Sequence, residues 1–130
     1  MRVLLTGGSG FIGSHICLLL LQKGYDVIIF DSFINSSYNV TNVIKNYLVT
    51  KNINHNLQII KGDIRDKNIL DQIFKNAIKE GFPIDTVVHL AGLKSVSESV
   101  SNPLKYWDVN VCGTRNLLSS MSQYDCYSIV

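Results

Sequence analysis

The feature that most limits what this chain can fold into is a run of glycines closing a short apolar stretch. Arg2–Thr6 reads as a β-strand, and Thr6-Gly7-Gly8-Ser9-Gly10-Phe11-Ile12-Gly13 follows at once. The run fits G-x-G-x-x-G from Gly8 and G-x-x-G-x-x-G from Gly7. Alone, such a pattern is an ordinary turn into a helix. Its setting makes it more specific: a strand before, a helical period after, and an acid, Asp31, 18 residues beyond Gly13 at the end of the next strand. In that setting the first glycine makes the tight turn, the middle one lets the backbone approach a pyrophosphate, and Gly13 lets the helix lie close on the sheet. Glycine inside a helix costs about 1 kcal/mol relative to alanine, so position 13 needs a reason. The helix N-terminus would offer unpaired N–H groups and about half a positive charge to the phosphates. Asp31 could accept bonds from an adenosine ribose. Residues 32–39 hold no Arg or Lys, and Asp31 would repel a 2′-phosphate, which favours NAD over NADP.

Beyond the glycines, strands and helices alternate. Gly10–Lys23 reads as a helix, with Phe11, Ile12, Ile16, Leu19 and Leu20 near a 3.6 period and Gly24 as its stop. Asp26–Asp31 is a continuous apolar run, as expected of a strand covered on both faces. Tyr38–Leu48 is a second helix and Leu57–Lys61 a third strand. Asp66 can cap a helix whose face is Ile69, Leu70, Ile73, Phe74, Ala77 and Ile78, closed by Gly81. Thr86–Ala91 is a fourth strand, and Asn102-Pro103 opens a helix running to about Ser122. Tyr127–Val130 reads as a fifth strand, cut off by the end of the chain. The pattern predicts an α/β fold: a Rossmann-type, doubly wound parallel sheet with strand order 3-2-1-4-5. One domain fits 130 residues without linker or repeat. After the third strand, Asp63 and its neighbouring amides could bond an adenine edge or merely turn the chain; the residues leave both open.

Composition removes other classes. With 46% hydrophobic and 17% charged residues the chain can build a core. Twelve Lys+Arg and ten Asp+Glu are scattered, which argues against a nucleic-acid stripe or a polybasic membrane patch. The longest apolar run, Ile16–Leu21, is far short of the roughly 20 residues that span a bilayer. No signal-peptide pattern opens the chain. Cys17, Cys112 and Cys126 read as free thiols of a reducing cytosol, neither a disulfide frame nor a metal site, so a cytoplasmic location is expected.

Four blocks carry a family resemblance: VLLTGGSGFIGSH at 3–15, DSFINSS at 31–37, GDIRD at 62–66 and VVHLAGLKSVSESVSNPLKYWDVNVCGT at 87–114. Through them the chain resembles the N-terminal half of the UDP-glucose 4-epimerases, within the extended short-chain dehydrogenase/reductase superfamily. The first and third blocks fit many sugar-nucleotide enzymes; the last, with Lys94, Glu98 and Ser99, is more particular. The resemblance implies NAD as cofactor. Gly7, Gly10, Phe11, Ile12 and Gly13 would line its pyrophosphate. Asp31, Asn35 and Ser36 would hold the adenosine ribose and nearby phosphate. Asp63 and Ile64 would face adenine. Leu90, Ala91, Gly92 and Lys94 would lie on the nicotinamide side, and Asn110 would complete the pocket.

The implied activity is the interconversion of UDP-glucose and UDP-galactose. C4 of the hexose loses a hydride to NAD+, the 4-keto sugar turns over, and the hydride returns. The family's base is a tyrosinate with a lysine four residues on, expected after the fifth strand. Residues 1–130 are therefore expected to be the NAD-binding part, without the C-terminal substrate domain or the catalytic residues, and inactive alone. A UDP-hexose partner and a homodimer belong to the full-length enzyme. The alternatives are another sugar-nucleotide epimerase, dehydratase or decarboxylase, or a non-catalytic NAD-binding fragment. One Tyr-x-x-x-Lys does occur, Tyr47 to Lys51, but between the second and third strands; it is expected to be an exposed helix end. His15 and His89 are expected to be structural.

Overall fold

The computed structural model describes residues 1–130. Its strands are β1 (Arg2–Thr6), β2 (Asp26–Asp31), β3 (Leu57–Lys61) and β4 (Thr86–His89). Its helices are α1 (Phe11–Gln22), α2 (Asn39–Thr50), α3 (Lys67–Lys79), α4 (Val96–Ser101), α5 (Pro103–Trp107) and α6 (Gly113–Gln123). A π-helical turn, Asp108–Cys112, joins α5 to α6. The sheet is wholly parallel, in the order β3-β2-β1-β4.

Successive residues of a strand point to opposite faces, and the two cores follow that rule. Leu4, Ile28, Phe30 and Val87 meet α3 and α6 through Leu70, Ile73, Phe74, Leu117 and Met121. Leu5, Val27 and Ile29 meet α1 and α2 through Cys17, Leu21, Ile44 and Leu48. Both faces of the central strands are thereby covered, as continuous apolar runs require.

Several boundaries differ from the sequence reading. The α1 face toward the sheet is Gly13, Cys17 and Leu21, whereas Phe11 is 79% exposed and Ile12 and Leu19 are also exposed. Contact at Gly13 sets the phase of the helix, and steps of four from it define the buried stripe. On α3, Asp66 does cap, accepting from the N–H groups of Asn68 and Ile69 at 3.0 and 3.2 Å, but Ile78 lies outside the core. Strand β4 stops at His89. Leu90 N–H still bonds Thr6 O, and Ala91 N–H turns to the Thr6 hydroxyl.

The expected fifth strand is reduced to one parallel bridge, Val87 to Ile129. It lies beside β4, with Val87 N–H on Ser128 O and His89 N–H on Val130 O. The segment meets β4 over too few residues to build a ladder. The single helix expected from Asn102 to Ser122 is instead α5, the π turn and α6, and α4 precedes it unforeseen.

Candidate functional site

The carboxyl ends of the strands converge on the glycine turn. Gly7 has φ +69°, and a Cβ there would lie 2.8 Å from Ala91 N, so the turn out of β1 runs directly against the loop after β4. The reason for Gly13 is sharper: a Cβ there would sit 2.3 Å from Gly7 O. The helix can start this close to the turn only without a side chain at position 13. Gly10 occupies the N-cap position of α1 with no side-chain cap, and the first turn carries no acid. The N–H groups that open α1 are therefore left to a ligand or to water.

Asp31, at the end of β2, is 8% exposed. Its Oδ2 accepts from Ser9 N–H at 2.9 Å. Its Oδ1 accepts from Phe33 N–H at 2.9 Å and from the Ser36 hydroxyl at 3.1 Å. Phe33 itself holds φ +58°, a left-handed conformation stabilised by that bond. A carboxylate has about four acceptor positions, so Asp31 keeps capacity for a further donor. Ser9 Oγ, buried beside it, has no partner.

Around this turn lies an open cavity of about 400 Å³. All the residues expected to hold the cofactor line it except Asn110. The Asn110 amide is engaged elsewhere, accepting from Leu93 N–H at 2.8 Å and donating to Leu93 O at 2.9 Å. Arg65, Leu93, Lys105 and Val109 also line the cavity and were not foreseen. The signal for Arg65 was local, two residues beyond Asp63. Lys105 gave none, because its partner Glu98, at 2.6 Å, lies in α4.

Both Asp63 oxygens are occupied by Arg65. Oδ1 takes its backbone N–H at 2.9 Å and Nε–H at 3.0 Å, and Oδ2 takes Nη2–H at 2.6 Å. Those bonds hold the Asp63 carboxyl below its ordinary pKa. Asp63 thus turns the chain while lining the cavity. Lys94 stands exposed on the loop after β4, at the same cavity.

The remaining candidates lie apart. His89 bridges the Thr6 hydroxyl at Nδ1 (2.7 Å) and the Thr114 hydroxyl at Nε2 (2.9 Å), and burial lowers its pKa. His15 Nδ1 meets Phe11 O at 2.7 Å on the exposed side of α1. Tyr47 and Lys51 sit at the end of α2, the ammonium 5.9 Å from the ring centroid, and neither lines the cavity. Burial pushes the Cys17 thiol up to about 12, so it is no nucleophile. No group of three His, Cys, Asp or Glu side chains comes together to hold a metal, and no helix is long and apolar enough to cross a membrane.

Known proteins share both sequence and fold with this chain. The family model described as GDP-mannose 4,6 dehydratase matches residues 4–129. A UDP-glucose 4-epimerase of Klebsiella pneumoniae is 45% identical over 121 residues, covering 93% of this chain and 80% of that protein. One from Neisseria meningitidis serogroup B is 42% identical over 129 residues, 99% of this chain and 35% of its own length. The chain spans about a third of the length of its Pisum sativum and Neisseria meningitidis relatives. Among solved structures, UDP-glucose 4-epimerase of Stenotrophomonas maltophila, with bound NAD and formylated UDP-arabinopyranose, superposes with a TM-score of 0.87 at 36% identity. That of Bifidobacterium longum, in complex with NAD+ and UDP, gives 0.85 at 36%. Each superposition covers 99% of this chain and about a third of the other. With the glycine turn, the strand order and these matches in agreement, the chain belongs to the nucleotide-sugar family that includes the UDP-glucose 4-epimerases and GDP-mannose 4,6-dehydratase.

Proposed function

We propose that this chain is the NAD-binding part of an enzyme that interconverts UDP-glucose and UDP-galactose. The observation that carries the reading is Asp31: a buried carboxylate with spare acceptor capacity, bonded to the glycine turn and lining its cavity. The fit to a dinucleotide is chemical. Uncapped N–H groups at the start of α1 suit a diphosphate. Asp31, with Asn35 and Ser36, suits ribose hydroxyls and disfavours a 2′-phosphate. Asp63 and Ile64 flank the adenine end. Leu90, Ala91, Gly92 and Lys94 form the opposite wall, where a cation can bond the second ribose.

Bound NAD+ supplies a hydride acceptor for C4 of the sugar. This chain's residues bind and orient. Tyr47 and Lys51 stand away from the cavity and take no part in proton transfer, and an epimerase assay of residues 1–130 alone should show no turnover. The UDP-hexose, the tyrosine–lysine pair and a homodimer contact belong to the full-length enzyme, a cytoplasmic protein. Another sugar-nucleotide epimerase or dehydratase is a second reading, favoured by the GDP-mannose 4,6 dehydratase match; turnover assays of the full-length enzyme with UDP-galactose and GDP-mannose separate the two.

Calorimetric titration tests the central claim. The protein should bind NAD+ more tightly than NADP+, and Asp31→Ala should weaken NAD+ by about tenfold or more, the loss of one or two charge-assisted bonds. Unchanged NAD+ affinity in the folded variant would overturn the assignment.

A further inference from the structure

Asp63 could bond a base edge or turn the chain, and Arg65 lets it do both. A carboxylate offers about four acceptor positions. Arg65 takes three of them: its backbone N–H and Nε–H bond Oδ1, and its Nη2–H bonds Oδ2. One position stays open, on Oδ2. The paired side-chain bonds form a planar fork, so the carboxylate cannot turn without breaking both. Arg65 is held from two further directions. Its Nη1 donates to Asp108 Oδ2 at 2.7 Å, and its carbonyl accepts from Asn116 Nδ2, on α6, at 2.8 Å. A lone exposed ion pair would contribute little, whereas a bidentate pair inside a network keeps its geometry. Beside the carboxylate, the N–H of Ile64 makes no hydrogen bond within the chain, although Ile64 is buried. Asp63, Ile64 and Arg65 all line the cavity.

The loop after β3 therefore offers an acceptor and a donor side by side, the open position of Asp63 and the N–H of Ile64. The six-membered edge of adenine carries the complement, an amino donor beside the N1 acceptor. Hypoxanthine has a keto oxygen and a protonated N1 in those places. It would set an acceptor against the carboxylate and a donor against the N–H. We propose that Arg65 is a positioning residue that sets the base selectivity of the dinucleotide site, aiming the one open acceptor of Asp63 without touching the base itself. The inference rests on the NAD reading above and deepens it. The Arg65 bonds also hold the Asp63 carboxyl below its ordinary pKa, so it remains an acceptor and does not become a donor.

The test uses the full-length protein and calorimetric titration with two probes, NAD+ and nicotinamide hypoxanthine dinucleotide, which differ only at that edge of the base. The wild type should bind NAD+ about tenfold more tightly, because the mismatched base leaves a donor and an acceptor unpaired. Arg65→Ala should weaken NAD+ by about fivefold and leave the hypoxanthine dinucleotide nearly unchanged, so the preference falls to about twofold. Arg65→Lys keeps the charge but not the planar fork. It should lose the preference as the alanine variant does, and it carries the test if that variant fails to fold. Equal weakening of both dinucleotides by either variant would overturn the inference, since a disordered loop or a lost contact with the diphosphate acts on both alike. A preference kept in Arg65→Lys would also overturn it, because charge and not the fork would then be enough. Equal binding of the two dinucleotides by the wild type would overturn this inference and leave the NAD reading standing. Absence of NAD+ binding by the wild type would overturn both.

Discussion

The two ends of the parallel sheet treat charge in opposite ways. At the amino end the Arg2 side chain is only 5% exposed. Its guanidinium meets Glu80 at 2.7 Å and Asp26 at 3.7 Å, and lies 5.6 Å from the Phe82 ring centroid. The Arg2 N–H is taken by Asp85 at 2.6 Å. The Arg2 backbone N–H and its guanidinium both find acceptors within the chain. At the carboxyl end a buried carboxylate, Asp31, is met by two N–H groups and a hydroxyl but no cation. A helix start there is uncapped, and a buried hydroxyl has no partner. Incompletely satisfied polar groups are uncommon in folded proteins, and their concentration at one end marks where an outside molecule belongs. The amino end satisfies its charge internally; the carboxyl end leaves polar groups open to a ligand.

That division can be broken by substitution. The largest effect should come from Gly13→Ala. Its methyl would meet Gly7 O at 2.3 Å, and backbone on both sides cannot easily yield. We expect a loss of about 3 kcal/mol in urea unfolding together with loss of NAD+ binding. Arg2→Ala comes next and separates the two ends. It should cost about 2 kcal/mol, because the bonds of the buried guanidinium to Glu80 and Asp26 and its contact with the Phe82 ring are lost, while NAD+ affinity stays the same. A weakened NAD+ affinity in Arg2→Ala would show that the ends are coupled. Ser9→Ala should act in the other direction, raising stability by about 0.5 kcal/mol through removal of an unsatisfied buried hydroxyl. A loss of stability there would mean that the hydroxyl has a partner in solution.

The amino-acid sequence carried the sheet almost completely, because β1 and β2 lie covered on both faces and leave no ambiguity of period. Asp26–Asp31 and Leu57–Lys61 fall where their apolar runs begin and end. The phase of α1 was not legible, since six consecutive apolar residues offer no contrast between faces. Only the contact at Gly13 decides that Cys17 and Leu21 turn inward and Leu19 outward. The glycine turn and Asp31 were readable as a candidate site because their chemistry is local. The π turn was invisible for the converse reason. Its partners, Arg65 and Leu93, are 43 and 17 residues away from Asp108 and Asn110, and no spacing rule links them.

The smallest effect concerns the seam between the sheet and that turn. Thr6, His89 and Thr114 form one chain of bonds from β1 through β4 to α6. A consistent set of donors has the Thr6 hydroxyl donating to Nδ1 and Nε2–H donating to Thr114 Oγ1, since that hydroxyl already donates to Asn110 O. The arrangement requires a neutral imidazole. Burial lowers the His89 pKa below its ordinary 6.5, so the unfolded chain takes up the proton first as pH falls. Its contribution to stability is therefore complete above about pH 6.5 and is lost progressively below it, down through the folded-state pKa. The melting temperature should fall between pH 7.5 and 5.5, and His89→Gln, which keeps a donor and an acceptor but does not titrate, should flatten that fall. Asp63 and Glu98, held low by Arg65 and Lys105, lose their protection only in more acid solution and leave this window clear. His15 and His55 remain in both proteins, so the difference between the two profiles belongs to His89. Identical profiles would mean that the seam is held without the imidazole, and that the carboxyl end of the sheet depends on its backbone alone.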